Sequence, residues 1–201
     1  MTPSPRTRAS APPPVRSAAA IVLAGGGSSR FGSDKALALF RGEPLLGVVL
    51  RDLRAGFAEV LVVAKDPLRY ASFGAVIADG TTARTPLAGV AAGLAACTAE
   101  VAFVCAADMP FAADDALLDA LFARLPGHDA VVPVHGGVRQ PLCALYRREP
   151  CLAAARERLA EGPVGPKRLL ESVRTEIVEW ADDRPFLDAD TREALAAMER
   201  R

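Results

Sequence analysis

The stretch AAAIVLAGGGSSRFGSDKAL (18–37) decides the reading: it opens as an apolar run of strand character and continues as a loop of glycines and serines that carries Arg30 and Lys35. Such a loop fits a phosphate. Glycines let the backbone approach an anion closely and take positive φ, while exposed N–H groups and hydroxyls donate to phosphate oxygens. Arg30 adds a planar fork of donors and Lys35 a compact point charge, the two kinds of cation that neutralise a polyphosphate. A plain glycine-rich turn with solvated charges is the competing reading. Two familiar nucleotide loops do not fit, because G-x-G-x-x-G needs a glycine where Arg30 stands and G-x-x-x-x-G-K-[ST] needs one where Asp34 precedes Lys35.

Outward from this loop, short apolar runs alternate with segments of helical periodicity, the pattern of βαβ units and a mainly parallel sheet. Pro44 opens a helix over LLGVVLRDLRAG that ends at Gly56, and strands EVLVVA (59–64) and AVIAD (75–79) follow. Pro86 starts a second helix, PLAGVAAGLAAC. The run VAFVCAAD (101–108) reads as a central parallel strand buried on both faces, its last residue at the carboxyl edge of the sheet. Asp114 and Asp115 favour the start of helix ALLDALFARL. Strand DAVVPV (129–134), a glycine turn into a further strand, helices near 149–160 and 166–172, strand TEIVEW and a terminal helix from Asp190 complete the pattern.

Composition narrows the function. Lys and Arg number 24, as do Asp and Glu, so net charge gives no argument for nucleic acid or an anionic membrane as partner, and any anion site is local. The four cysteines form no C-x-x-C pair and His128 and His135 are the only histidines, which speaks against a zinc cluster and for small core thiols in a reducing compartment. No apolar run reaches the roughly 20 residues of a membrane-spanning helix. Ala18–Gly25 behind Arg16 is short for a signal peptide and leads into a Gly/Ser/Arg loop rather than a cleavage site. Residues 1–17 hold five of the 16 prolines, three arginines and no acid, and are expected to be a disordered basic tail before a single domain over 18–201.

The run LAGGGSSRFGSDKAL closely resembles the signature L-A-G-G-x-S-x-R-M-G-x-D-K of the nucleotidyltransferase superfamily that includes the molybdenum cofactor guanylyltransferases, with Phe31 in the methionine slot. Three further blocks fall in family order: TPLAGVAAGL (85–94), FVCAADMPF (103–111) and RQPLCALY (139–146). The resemblance spans most of 18–195. It implies a Rossmann-like three-layer α/β sandwich with a mainly parallel central sheet, like the nucleotide-diphospho-sugar transferases. The implied reaction transfers GMP from GTP to the terminal phosphate of molybdenum-loaded molybdopterin and releases pyrophosphate. A cytidylyltransferase using CTP, or another small nucleotidyltransferase of the superfamily, is the alternative.

By match, Leu23, Ala24, Gly25 and Gly26 lie against the nucleotide, Arg30 and Lys35 near its phosphates, and Asp108 is the Mg²⁺-binding aspartate; Arg30, Lys35 and Asp108 form the expected catalytic set. Asp79 matches a nucleotide-contacting aspartate able to accept from guanine N1–H and N2–H₂, although it can equally hold a ribose or cap a turn. The PLAG helix is expected to pack under the nucleotide, with Gly89 and Gly93 allowing close approach or simply serving as small core residues. FLDADTREAL (186–195) resembles the terminal block Asn-x-Asn-Thr-Pro-Glu with Asp188 and Asp190 in place of both asparagines; Asp188 is taken as a metal ligand and Asp190 mainly as a helix cap. Lys65 stands where many relatives carry asparagine. Gln140, Pro141 and Leu142 match the guanylyltransferase block, and Lys167 and Arg168 either hold an anion of the second substrate or are a solvated helix start. A cytoplasmic enzyme with GTP, molybdopterin and molybdoenzyme-maturation proteins as partners is implied.

Overall fold

The structure, a computed structural model, describes residues 15–25, 31, 34–80 and 85–200. Its elements are β1 (Arg16–Leu23), a small hairpin of β2 (Leu39–Phe40) and β3 (Glu43–Pro44), α1 (Leu45–Gly56), β4 (Phe57–Ala64), β5 (Val76–Ala78), α2 (Pro86–Ala96), β6 (Val101–Ala106) and α3 (Asp115–Arg124). There follow β7 (Ala130–His135), β8 (Val138–Arg139), β9 (Cys143–Arg147), α4 (Arg148–Ala160), α5 (Pro166–Leu170), β10 (Thr175–Glu179) and α6 (Arg192–Glu199). Two helix starts fall where Pro86 and Asp114 place them in the sequence, each with a side-chain cap. Thr85 accepts from Leu87 N with Pro86 in the first turn, and Asp114 accepts from Leu117 N at 2.8 Å.

The main sheet runs β10-β7-β9-β6-β1-β4-β5, with β8 added beside β7. Along that path every strand but β9 points the same way, because β9 is antiparallel to both β6 and β7. The strand expected to be parallel throughout, β6, is therefore parallel to β1 on one side only. β1 alternates faces: Ala18, Ala20 and Val22 pack with α1 and α3, whereas Ala19 and Ile21 pack with α2, α4 and α5. The result is the three-layer α/β sandwich. A third cluster, Phe40, Leu45 and Val48 against Ala189, Leu195 and Met198, anchors the C-terminal segment beside the start of α1.

The chain moves outward from β1 to β4 and β5, then reverses to place β6 on the other side of β1. Doubly wound sheets bind ligands in the crevice this reversal opens at the carboxyl ends of the strands. Close packing of α2 fixes the floor of that crevice. A Cβ at Gly93 would lie 2.9 Å from Ile21 Cδ1, and one at Gly89 would lie 3.1 Å from Leu23 Cδ2. The small residues of the PLAG helix therefore serve its approach to β1.

Two further features matter below. β1 begins at Arg16, two residues inside the stretch expected to be tail; residues 1–14 lie outside the described residues. The Arg16 guanidinium pairs with Asp115 and Asp119 and lies 5.9 Å and 5.8 Å from the rings of Phe57 and Phe122. The cysteines, Cys97, Cys105, Cys143 and Cys151, are buried free thiols. Burial pushes each of them up, Cys151 to about 12.

Candidate active site

The crevice holds a cleft of about 810 Å³ at the carboxyl ends of β1, β4, β5 and β6. Leu23, Ala24 and Gly25 form its rim, where Ala24 N donates to Val63 O at 2.8 Å and Ala107 N donates to Leu23 O at 2.9 Å. These bonds carry the sheet pairing past the strand ends and hold the backbone still. Gly25 turns the chain away with φ +86°, a conformation that favours glycine. Gly26 and Arg30 lie outside the described residues, so Arg30's expected phosphate role has no geometry to report.

Lys35 opens a 3₁₀ turn, Lys35–Leu37, whose cap is Asp34. Asp34 Oδ1 accepts from Ala36 N at 3.1 Å, and its Oδ2 accepts from Tyr70 Oη at 2.6 Å and pairs with Arg69 Nε at 2.8 Å. Burial, reinforced by Asp34, pushes the Tyr70 phenol upward, so the hydroxyl remains a donor. Asp34 is thus the anchor that aims Lys35. In the sequence it is visible as a position of the signature and as the residue that spoils a P-loop match, but not as an anchor, because Tyr70 comes from a distant turn.

Lys35 Nζ donates to Asp108 Oδ2 at 3.1 Å and to Asp190 Oδ1. Burial alone would lower the ammonium, but the bonds to Asp190 and Asp108 outweigh it and hold the lysine above its ordinary value. Asp108 stands just beyond β6, and its carbonyl accepts from Ala189 N at 3.1 Å, which ties the C-terminal segment to the sheet edge. Asp190 does not cap α6. That position belongs to Thr191, whose hydroxyl accepts from Ala194 N at 3.1 Å, and Asp190 turns to Lys35 instead.

Asp188 lines the same cleft as Asp108, and burial followed by the charges of Asp190 and Asp108 raises its carboxyl above the usual range. A carboxyl raised by burial and neighbouring negative charge is relieved by a cation. Among the described residues no group of three or more His, Cys, Asp and Glu is placed to hold a metal by itself. One or two carboxylates completed by water and substrate phosphates is, however, the ordinary setting of Mg²⁺, and the hard oxygens of Asp108 and Asp188 fit it.

Lys65 and Asp79 line the cleft at the ends of β4 and β5, and the Gln140–Leu142 segment lines it from the β9 side. Lys65 Nζ lies 3.0 Å from Asp79 Oδ2. Gln140 O accepts from Cys143 N at 3.0 Å, so this segment turns between β8 and β9 and presents Gln140, Pro141 and Leu142 to the cleft. Lys167 and Arg168 do not line it; Arg168 is exposed and pairs with Glu171 at 2.8 Å, the solvated helix start of the two readings.

A doubly wound sheet with a glycine-ended first strand, an anchored lysine and a strand-end carboxylate in one crevice defines a nucleotidyltransferase. Residues 20–179 match the MobA-like NTP transferase domain, and the chain belongs to that family. Relatives include the molybdenum cofactor guanylyltransferase of Burkholderia ambifaria (strain MC40-6), 35% identical over 185 residues that cover 85% of this chain and 89% of the relative. That of Desulfosudis oleivorans is 32% identical over 154 residues, 75% of each chain. The crystal structure of molybdopterin-guanine dinucleotide biosynthesis protein A from Archaeoglobus fulgidus has the same fold, with a TM-score of 0.77 at 22% identity over 90% of this chain and 97% of that one.

Proposed function

We propose that the chain transfers GMP from GTP to the terminal phosphate of molybdopterin, forming the guanine dinucleotide form of the molybdenum cofactor and releasing pyrophosphate. The observation that carries this reading is Lys35, aimed by Asp34 and held against Asp108 at the crevice of a sheet whose relatives are molybdenum cofactor guanylyltransferases. A molybdopterin phosphate oxygen attacks the α-phosphorus; the new O–P bond forms as the bond to the β-phosphate bridging oxygen breaks, and pyrophosphate leaves with that electron pair. The nucleophile is already ionised at neutral pH, so no general base is needed.

This chain's residues position and neutralise. The Leu23–Gly25 backbone borders the triphosphate, Lys35 places its ammonium beside it, and Asp79 and Lys65 line the end left for the base. Asp108 and Asp188 are the residues that would hold Mg²⁺, which when bound supplies charge neutralisation for the phosphates. Fixed charge in a preformed cleft is how phosphoryl-type transfers are accelerated. Pyrophosphate release, measured with molybdopterin, Mg²⁺ and each of GTP, CTP and ATP, tests the reading. Release with GTP at the highest kcat/KM supports it; preference for CTP moves the chain to cytidylyl transfer.

No helix among the described residues is long and apolar enough to cross a membrane. Work in the cytoplasm, with delivery of the product to molybdoenzyme-maturation proteins, belongs to the same proposal.

A further inference from the structure

β4 and β5 pair in parallel with Ala64 level with Ala78, so the next residues along, Lys65 and Asp79, leave the sheet side by side. Both line the cleft, and the Lys65 ammonium lies 3.0 Å from Asp79 Oδ2. Asp79 is nearly enclosed, with its side chain 11% exposed, while Lys65 is 39% exposed and reaches in from the rim. The carboxylate therefore sits inside the cleft wall and the ammonium is held beside it. Together they present a cation and an anion in adjacent positions to whatever enters edge-on.

From this pair we infer that Lys65 is a specificity-determining residue, donating to O6 of guanine while Asp79 accepts from N1–H and the N2 amino group. The inference rests on the guanylyl-transfer reading and deepens it. Guanine carries its acceptor and its donors in adjacent places on one edge, in the order that the ion pair complements. Adenine carries them reversed, with an N6 amino donor facing the ammonium and the N1 acceptor facing the carboxylate. The pair then selects in two ways at once, by attraction for one base and by repulsion of the other. The ion pair also positions each partner: Lys65 holds one oxygen of the Asp79 carboxylate in place, and Asp79 holds a long, flexible side chain at the rim of the cleft.

The decisive experiment is a chemical double-mutant cycle. Equilibrium affinities for GTP, 6-thio-GTP, ITP and ATP are measured by titration on the wild-type chain, on Lys65→Met and on Lys65→Arg. The 6-thio base keeps N1–H and the N2 amino group but offers a poor acceptor at position 6; ITP keeps O6 but lacks the N2 amino group. Wild type should bind GTP about 10-fold tighter than 6-thio-GTP, the scale of one charged hydrogen bond. In Lys65→Met that ratio should collapse toward one while the GTP-to-ITP ratio is retained, and Lys65→Arg should restore the first ratio in part. A Lys65→Met chain that melts like wild type but weakens GTP and 6-thio-GTP equally, or weakens neither, overturns the assignment of Lys65 and leaves guanylyl transfer standing. A wild-type chain that binds ATP as tightly as GTP overturns both.

Discussion

Gly93 in α2 lies so close to Ile21 in β1 that a methyl group at its Cα would press into a fully buried side chain. Interiors packed at crystal density have little room to yield. Gly93→Ala is expected to destabilise the chain by about 1–3 kcal/mol, seen calorimetrically as a fall of about 2–4 °C for each kcal/mol. Gly89→Ala meets Leu23 at the edge of the cleft instead, so its expected effect is a smaller fall in melting temperature and weaker nucleotide binding.

Thr191 and Asp190 are neighbours with separate duties. Thr191→Ala removes the hydroxyl cap of α6 and should lower stability by about 1 kcal/mol with little change in kcat. Asp190→Asn takes a charged partner from Lys35 at a half-exposed position. Its expected effect is the opposite pattern, a lower kcat with an almost unchanged melting temperature, and measuring both quantities on both variants separates the two roles.

Asp108→Asn should reduce turnover below detection while far-ultraviolet circular dichroism stays that of wild type. The substitution weakens a hard-cation ligand and a partner of Lys35 but keeps the backbone carbonyl that binds Ala189 N. Lys35→Ala should cost on the order of 10²-fold in rate, the scale of one lost electrostatic donor. Activity within threefold of wild type in either variant contradicts the mechanism.

Acid should loosen the join between the segments that enter β7 and β10. Asp129 accepts from Arg174 N, Nε and Nη2, and those bonds, chiefly the side-chain ones, hold its carboxyl below the usual value. A carboxyl lowered by folding adds stability above its unfolded pKa of roughly 3.9, and that stability is lost as pH falls through the folded value. Melting curves should show Asp129→Asn less stable than wild type from pH 5 to 7, with the gap closing below about pH 4.

Arg16→Ala should lower the melting temperature by about 2–4 °C. Its ion pairs reach exposed carboxylates, worth little each, and its position beside the rings of Phe57 and Phe122 adds about 0.5–1 kcal/mol. A chain beginning at Ala18 should show the same loss, and one beginning at Val15 should not.

Most of the fold was legible because strand and helix periodicities, Pro44, Pro86 and Asp114 act within one turn of where they stand. Contacts between distant segments were not. A cap at Asp190 and a cap at Thr191 look alike in DTRE, and what separates them is Lys35, 155 residues away. Arg16 and Ser17 share the polar composition of the residues before them, yet the arginine lies over two rings and belongs to the sheet. The glycine loop, Lys35, Asp79 and Asp108 were recognisable as motif positions, whereas Asp34's grip by Tyr70 and the Lys65–Asp79 pair require the folded chain. For the latter the sequence did hold a signal: two adjacent parallel strands that each end on a charge, of opposite sign.

The buried thiols turn the molecule into its own stopwatch. Cys105 and Cys143 face each other across β6 and β9 at the centre of the sheet, and Cys97, at the end of α2, and Cys151, within α4, are buried in the cluster on the opposite face. All are buried with their thiols pushed up, so an alkylating reagent consumes them only during opening excursions, and Cys105 and Cys143 only when the sheet itself comes apart. The labelling rate then counts those excursions, and a nucleotide seated in the cleft should lengthen the interval between them by mass action.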